Sequence, residues 1–181
     1  MRPALHLVGV LPRPYAERQM TRVRVADYGR LATDDRRLVA VASVPGRSCR
    51  LHWAAAHALE LLDQEWQAQG GSPLLVASGW REHRWRDRAH YEGELRRRYG
   101  SVAEGKRWLA FDSPHETGLA CDLGSCGLEP RSSTVDAQRA APLHRWLEVA
   151  APALGWVRYP VEPWHIEAPV PFERWAAPDG G

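Results

Sequence analysis

The chain has 181 residues, 44% of them hydrophobic, which is enough for one domain with a substantial core and too few for two of enzyme size. Lys+Arg of 24 against Asp+Glu of 22 leaves a formal charge of +2, which gives no global attraction for nucleic acid. Cys49, Cys121 and Cys126 are odd in number and share no repeated spacing, so free thiols are expected rather than a disulfide framework, and no stretch approaches the ~20 apolar residues of a membrane span.

Residues 5–11 (LHLVGVL) form a short apolar run that stops at Pro12 without a small-residue cleavage site, so no cleaved signal peptide is expected. Residues 1–47 read as an extension of short extended pieces, 5–10, 22–26 and 38–44, packed on a catalytic core of about 48–170 within a single domain of 1–181. From Ser48, a possible cap, Leu51, Ala55, Ala58, Leu59, Leu62 and Trp66 recur at helical spacing until Gly70-Gly71. Residues 74–78 (LLVAS) follow as a buried strand ending in Ser78-Gly79-Trp80-Arg81, where a side chain leaves the sheet edge for a cleft. A second helix is predicted over 84–99 with Trp85, Ala89 and Leu95 inward, and Ser101 with Glu104 fits a capping box for a short third one. Residues 119–123 read as a strand and 142–154 as a helix with proline in its first turn and Gly155 at its end. Residues 156–159 and 164–168 complete the pattern as two strands joined by a tight turn. Strands and helices do not alternate regularly, so the fold class is α+β.

The segment Ser113-Pro-His115-Glu-Thr-Gly118-Leu-Ala120-Cys-Asp122 places an imidazole at a turn and a carboxylate on the strand after it, with Ala120 and Asp122 on one face. Glu162-Pro163-Trp164-His165 supplies a second imidazole with a carboxylate three residues ahead. Two imidazoles and one carboxylate suit a zinc ion and leave a coordination position open for water. Glu162 is then available to take the water's proton and pass it to a leaving amine. Arg81 offers a fixed forked cation, either to a substrate carboxylate or to a developing oxyanion.

These residues resemble a known family. SPHETGLACD fits S-x-H-x-x-G-x-A-x-D and EPWH fits E-x-W-H, the two motifs of the VanY-like zinc D-alanyl-D-alanine carboxypeptidases and L-alanyl-D-glutamate endopeptidases (LAS-type metallopeptidases), related to hedgehog domains. The match spans roughly 74–168. The resemblance implies a small antiparallel sheet flanked by helices and one Zn2+ ion on His115, Asp122 and His165. It implies Glu162 as catalytic base and Arg81 as the residue assisting substrate and transition state, with the motif residues Ser113 and Trp164 as substrate contacts. The substrate implied is a peptidoglycan stem peptide, cut by D,D-carboxypeptidase or endopeptidase action as in an endolysin or effector, by a monomer acting on the wall after lysis or export. Two departures stand out: Trp80 replaces the tyrosine of S-G-Y-R-S with no glutamine nearby, and the link from Tyr159 to Glu162 is shorter than the family's hairpin. A shorter hairpin opens one end of the groove and favours endopeptidase action.

The same residues admit other readings. A catalytically silent zinc-binding wall-recognition module is the main alternative, and retention of Glu162 argues against it. His115-Glu116 does not begin an HExxH zincin, because residue 119 is Leu, and Glu116 reads as a solvated turn residue. His52 and His57 fall on different helical faces, and His83, His90 and His144 lie outside any motif. Cys121, alternating with Asp122, is expected to be a buried hydrophobe turned away from the metal. Residues 81–98 hold seven arginines against four acids, which reads as a charged helix face rather than a nucleic-acid surface.

Overall fold

A computed structural model describes residues 21–125 and 127–178. The 5–10 piece and Cys126 therefore lie outside the described residues. Two sheets organise the rest. Strands β1 (Leu38–Val41) and β2 (Cys49–His52) form an antiparallel hairpin. Strands β3 (Leu75–Ser78), β4 (Ala120–Gly124), β5 (Val157–Tyr159) and β6 (Glu162–Glu167) form the main sheet in the order β3-β4-β6-β5, each neighbouring pair antiparallel. The hairpin joins this sheet's edge through a parallel bridge from Ser43 to Val76.

Side-chain alternation divides the sheet into a core face and a chemical face. Cys121, Leu123 and Ile166 enter the core with Val76 and Trp156. Helix α2 (Trp53–Ala68) covers that face with Ala55, Ala58, Leu59 and Leu62, spaced at three and four residues. Helix α6 (Pro142–Ala153) adds Leu143, Leu147 and Ala151, with Pro142 in its first turn, where no intrahelical N–H is needed. A single-turn helix, α1 (Val25–Tyr28), meets the C-terminal helix α7 (Phe172–Ala176), with the Tyr28 hydroxyl donating to the Val170 carbonyl at 2.6 Å. Val23, Tyr28, Leu31 and Leu38 all join the core. A smaller cluster of Trp85, Tyr91 and Leu95 with Leu109 and Phe111 ties helices α3 (Arg88–Tyr99) and α4 (Val102–Gly105) into a separate wall. Helix α5 (Val135–Ala140) packs against β6 and α6.

Several expectations are corrected. Residues 49–52 are strand β2, and α2 begins at Trp53; the cap is His52, whose Nδ1 accepts from the Ala54 N–H at 3.1 Å, rather than Ser48. Helix α3 begins at Arg88 behind Asp87, whose carboxylate accepts from the His90 N–H at 2.7 Å, and Tyr91 rather than the exposed Ala89 takes the inward position. The 22–26 piece is not a strand, since Val25 opens α1 and Val23 is held by a side chain described below. The expectation for Cys121 holds, since it is buried on the core face, turned away from Asp122's face.

Candidate metal centre

Register builds the site. Asp122 on β4 lies opposite His165 on β6 and opposite Ser78 at the end of β3, so three positions form a row across the sheet. The third ligand comes from outside it. Pro114–Thr117 forms one 3-10 turn that ends at Gly118 and brings His115 over the end of β3. Two glycines make this approach possible. At Gly79 a Cβ would lie 2.4 Å from the Arg50 carbonyl, and at Gly118 (φ +72°) it would lie 2.9 Å from the His52 backbone nitrogen.

The three candidate ligand atoms form a small triangle. His165 Nδ1 is 3.0 Å from Asp122 Oδ1, His115 Nε2 is 3.3 Å from the same oxygen, and the two imidazole nitrogens are 3.2 Å apart. Atoms spaced by about 3.3 Å are the corners of a tetrahedron whose centre is about 2.0 Å from each, the length of zinc–nitrogen and zinc–oxygen bonds. The donor set and its spacing thus fit zinc.

The outward nitrogens fix each ring's tautomer. His115 Nδ1–H donates to the Gly79 carbonyl at 2.7 Å, leaving Nε2 a lone pair. His165 Nε2–H donates to Glu167 Oε1 at 3.2 Å, turning Nδ1 inward. Glu167 is fully buried and is itself held by Arg22 Nε at 2.7 Å and by the Val23 N–H at 2.6 Å. Such outer partners orient metal ligands and raise their basicity. His165 and Glu167 are two residues apart on one strand and so share a face; that spacing in WHIE was the available signal for Glu167, which the motif reading passed over.

Charge follows from this geometry. Burial, helped by the Arg81 charge, pushes the His115 imidazole down to about 4, so it is neutral. Burial opposes ionisation of Asp122, but the two imidazoles outweigh it and hold the carboxyl well below its ordinary range. Burial likewise opposes charge on His165, but with no cation between them hydrogen bonds to Asp122 and Glu167 carry it up to about 9, a proton on Nδ1 that a bound metal would replace. Burial pushes Glu162 up to about 7, partly offset by the His165 charge. A carboxyl near 7 can both hold and release a proton at neutral pH.

Glu162, Arg81, Ser113 and Trp164 all line one groove of about 490 Å³ with the three ligands. Arg81 Nη2 lies 4.0 Å from Asp122 Oδ2, and its half-exposed side chain faces the opening. Ser113 begins the 3-10 turn, and its N–H donates to Glu116 Oε1 at 3.2 Å. Glu116 is buried rather than solvated: it also pairs with Arg30 at 2.6 Å and with His83 Nδ1 at 3.0 Å, because the turn folds back against α1's end. His83, Asp112 and Glu116 are close enough to suggest a second cation site, but Arg30 bridges both carboxylates and supplies the positive charge. Among the other histidines, His52 is fully buried and His57 is exposed.

No known family's sequence profile matches the chain, and no curated protein matches it by sequence. Solved structures do match. VanYB in complex with D-alanine-D-alanine superposes with a TM-score of 0.52 at 23% identity, over 80% of this chain and 83% of that one. A glutamate-to-alanine variant of the vancomycin resistance D,D-pentapeptidase VanY from a VanB-type cassette, in complex with Zn(II), superposes at 0.50 and 22% identity, over 81% and 85%. Architecture, not sequence identity, carries this likeness. The chain has the fold of the VanY D,D-pentapeptidases, an α+β fold with a small antiparallel sheet flanked by helices.

Proposed function

We propose that the chain is a zinc-dependent peptidase of bacterial cell-wall stem peptides, acting as a D,D-carboxypeptidase or as an endopeptidase. The observation that carries this reading is the His115–Asp122–His165 triangle sharing one groove with Glu162 and Arg81. That the neighbouring structures were solved with D-alanine-D-alanine and with Zn(II) supports the substrate class and the metal.

A zinc ion held by the three residues supplies a Lewis acid that acidifies water and polarises a carbonyl. Glu162, lining the groove beside the three candidate ligands, is placed to receive the proton of the attacking water and return it to the departing amine. Arg81 holds negative charge at the groove's mouth, on the carbonyl oxygen as it develops charge or on a substrate carboxylate. Ser113 and Trp164 line the groove around the reacting group. Only two residues, Pro160 and Val161, join β5 to β6, and the groove continues past Arg81 to Tyr99 and Trp108. Both features favour a substrate longer than a dipeptide, and therefore endopeptidase action by a monomer that meets the wall after lysis or export.

The test is product analysis by mass spectrometry on defined muropeptides with zinc, with chelator and with Glu162→Ala. Hydrolysis should require zinc, and Glu162→Ala should retain zinc while losing about 10²–10⁴-fold in rate. Unchanged turnover in Glu162→Ala, or no product from any muropeptide with zinc bound, overturns the reading.

A further inference from the structure

The groove continues beyond Arg81 to the wall built from α3 and α4, where Arg84, Tyr99, Lys106 and Trp108 face the same space. Other cations along it have carboxylates of their own. Arg22 holds Glu167 at 2.7 Å, Arg107 holds Glu104 at 3.2 Å, and Arg131 holds Glu129. Among the described residues no carboxylate pairs with Arg84 or Lys106.

Arg84 is nonetheless held in place, its guanidinium lying 4.4 Å from the centroid of the buried Trp85 ring. Burial, then the charges of Arg81 and Arg98, lowers its pKa against a smaller opposing pull from Tyr99 and from Glu116, and Glu116 makes no ion pair with it. Trp108 is fixed by its indole N–H, which donates to Glu104 at 3.1 Å. Unpaired cations against one groove wall oppose folding by mutual repulsion, and an anion arriving from outside relieves it. A guanidinium suits a carboxylate through paired hydrogen bonds, while an ammonium adds a point charge.

We propose that this end of the groove, Arg84 and Lys106 beside Tyr99 and Trp108, is a subsite for a carboxylate carried by the peptide substrate at a residue away from the bond that is cut. The inference rests on the peptidase reading for the nature of the substrate, and on the groove's continuity for one molecule spanning both regions. It makes Arg84 and Lys106 selective for acidic stem peptides, through binding rather than through the chemical step.

The experiment uses stem peptides in which each internal carboxylate is amidated in turn, with the wild-type zinc protein and the Arg84→Gln/Lys106→Gln double variant. In the wild type, one amidation should lower kcat/KM by about tenfold to a hundredfold, mainly through KM, as loss of a charged hydrogen-bonding pair would. The double variant should process the acidic peptide about as slowly as the amide, and the amide at the wild-type rate. Equal discrimination in both proteins, or none in the wild type, overturns the subsite. Calorimetry on zinc-loaded Glu162→Ala separates this from the peptidase reading. If the wild type cuts no peptide, yet Glu162→Ala prefers the acidic peptide and loses that preference on adding Arg84→Gln and Lys106→Gln, the subsite stands and the peptidase reading falls. Equal binding of acid and amide overturns the subsite in that case too.

Discussion

Glu167 and Arg22 act on the centre without belonging to the triangle. The carboxylate accepts a hydrogen bond from His165 Nε2–H while Arg22 and the Val23 N–H keep the carboxylate ionised and still. Glu167→Gln preserves the shape of this link but removes its charge. Zinc affinity should then fall by about tenfold to a hundredfold with the circular dichroism spectrum unchanged, measured by competition with a chromophoric chelator. Affinity equal to wild type would show that His165 is oriented by the strand alone. The motif letters point to the candidate ligands, yet Glu167 belongs to no motif, and the Gly79 carbonyl is a backbone acceptor that the letters of S-G-Y-R-S do not reveal. Their roles emerge only once β6 and the end of β3 have fixed positions.

At the scale of elements, the main sheet and α6 were legible because their signals are local: short β-rich runs between glycines, and a proline opening an apolar helical repeat. The start of α2 was not. Leu51 keeps the helical spacing toward Ala55, but pairing with Val39 across the hairpin holds it in a strand, and the cap is a histidine rather than one of the usual capping residues. Similarly, Trp85 is buried by packing on Tyr91 and by donating to the Ala110 carbonyl at 3.0 Å, contacts that do not require it to be helical. The turn from His115 to Gly118 shows the opposite case, a motif glycine with a direct physical reason. Gly118→Ala should destabilise the protein by at least about 2 kcal/mol, combining the left-handed backbone cost with the contact to the His52 nitrogen, and should weaken zinc binding by displacing His115. Urea titration and chelator competition read the two effects. A variant that loses neither shows that the turn yields without moving the ligand.

Over the whole molecule, two fully buried imidazoles outside the centre set a lower pH limit. His52 donates from Nε2 to the Trp175 carbonyl at 3.0 Å, and Trp175 donates back to the Thr117 carbonyl at 2.9 Å, so the α7 turn clamps both the hairpin and the His115 turn. His144 donates from Nε2 to Gln138 Oε1 at 2.9 Å, beneath the strand that carries Glu162 and His165. Burial pushes both down to about 4, from an ordinary value of 6.5. The unfolded chain therefore binds protons before the folded one does. The stability these two groups contribute is complete above pH 6.5 and is lost as pH falls toward 4, by about 3 kcal/mol for each imidazole. Urea unfolding at pH 7.5 and 4.5 should show this loss, and His52→Asn, which keeps a capping acceptor, should reduce it by one imidazole's share, about 3 kcal/mol. An identical pH dependence in the variant would remove His52 from the account.

The row of Ser78, Asp122 and His165 across the sheet has a further consequence. Cys121 pairs with Ile166 in the core one step from where Asp122 pairs with His165 at the metal face. A slip of β4 by one residue against β6 turns β4 over relative to its neighbour, sending Asp122 into the core and leaving the triangle without that corner. A metal ion bound at the triangle would thus work as a checksum on strand pairing: a chain that retains it has aligned its central strands correctly, and a misaligned one is marked by its failure to do so.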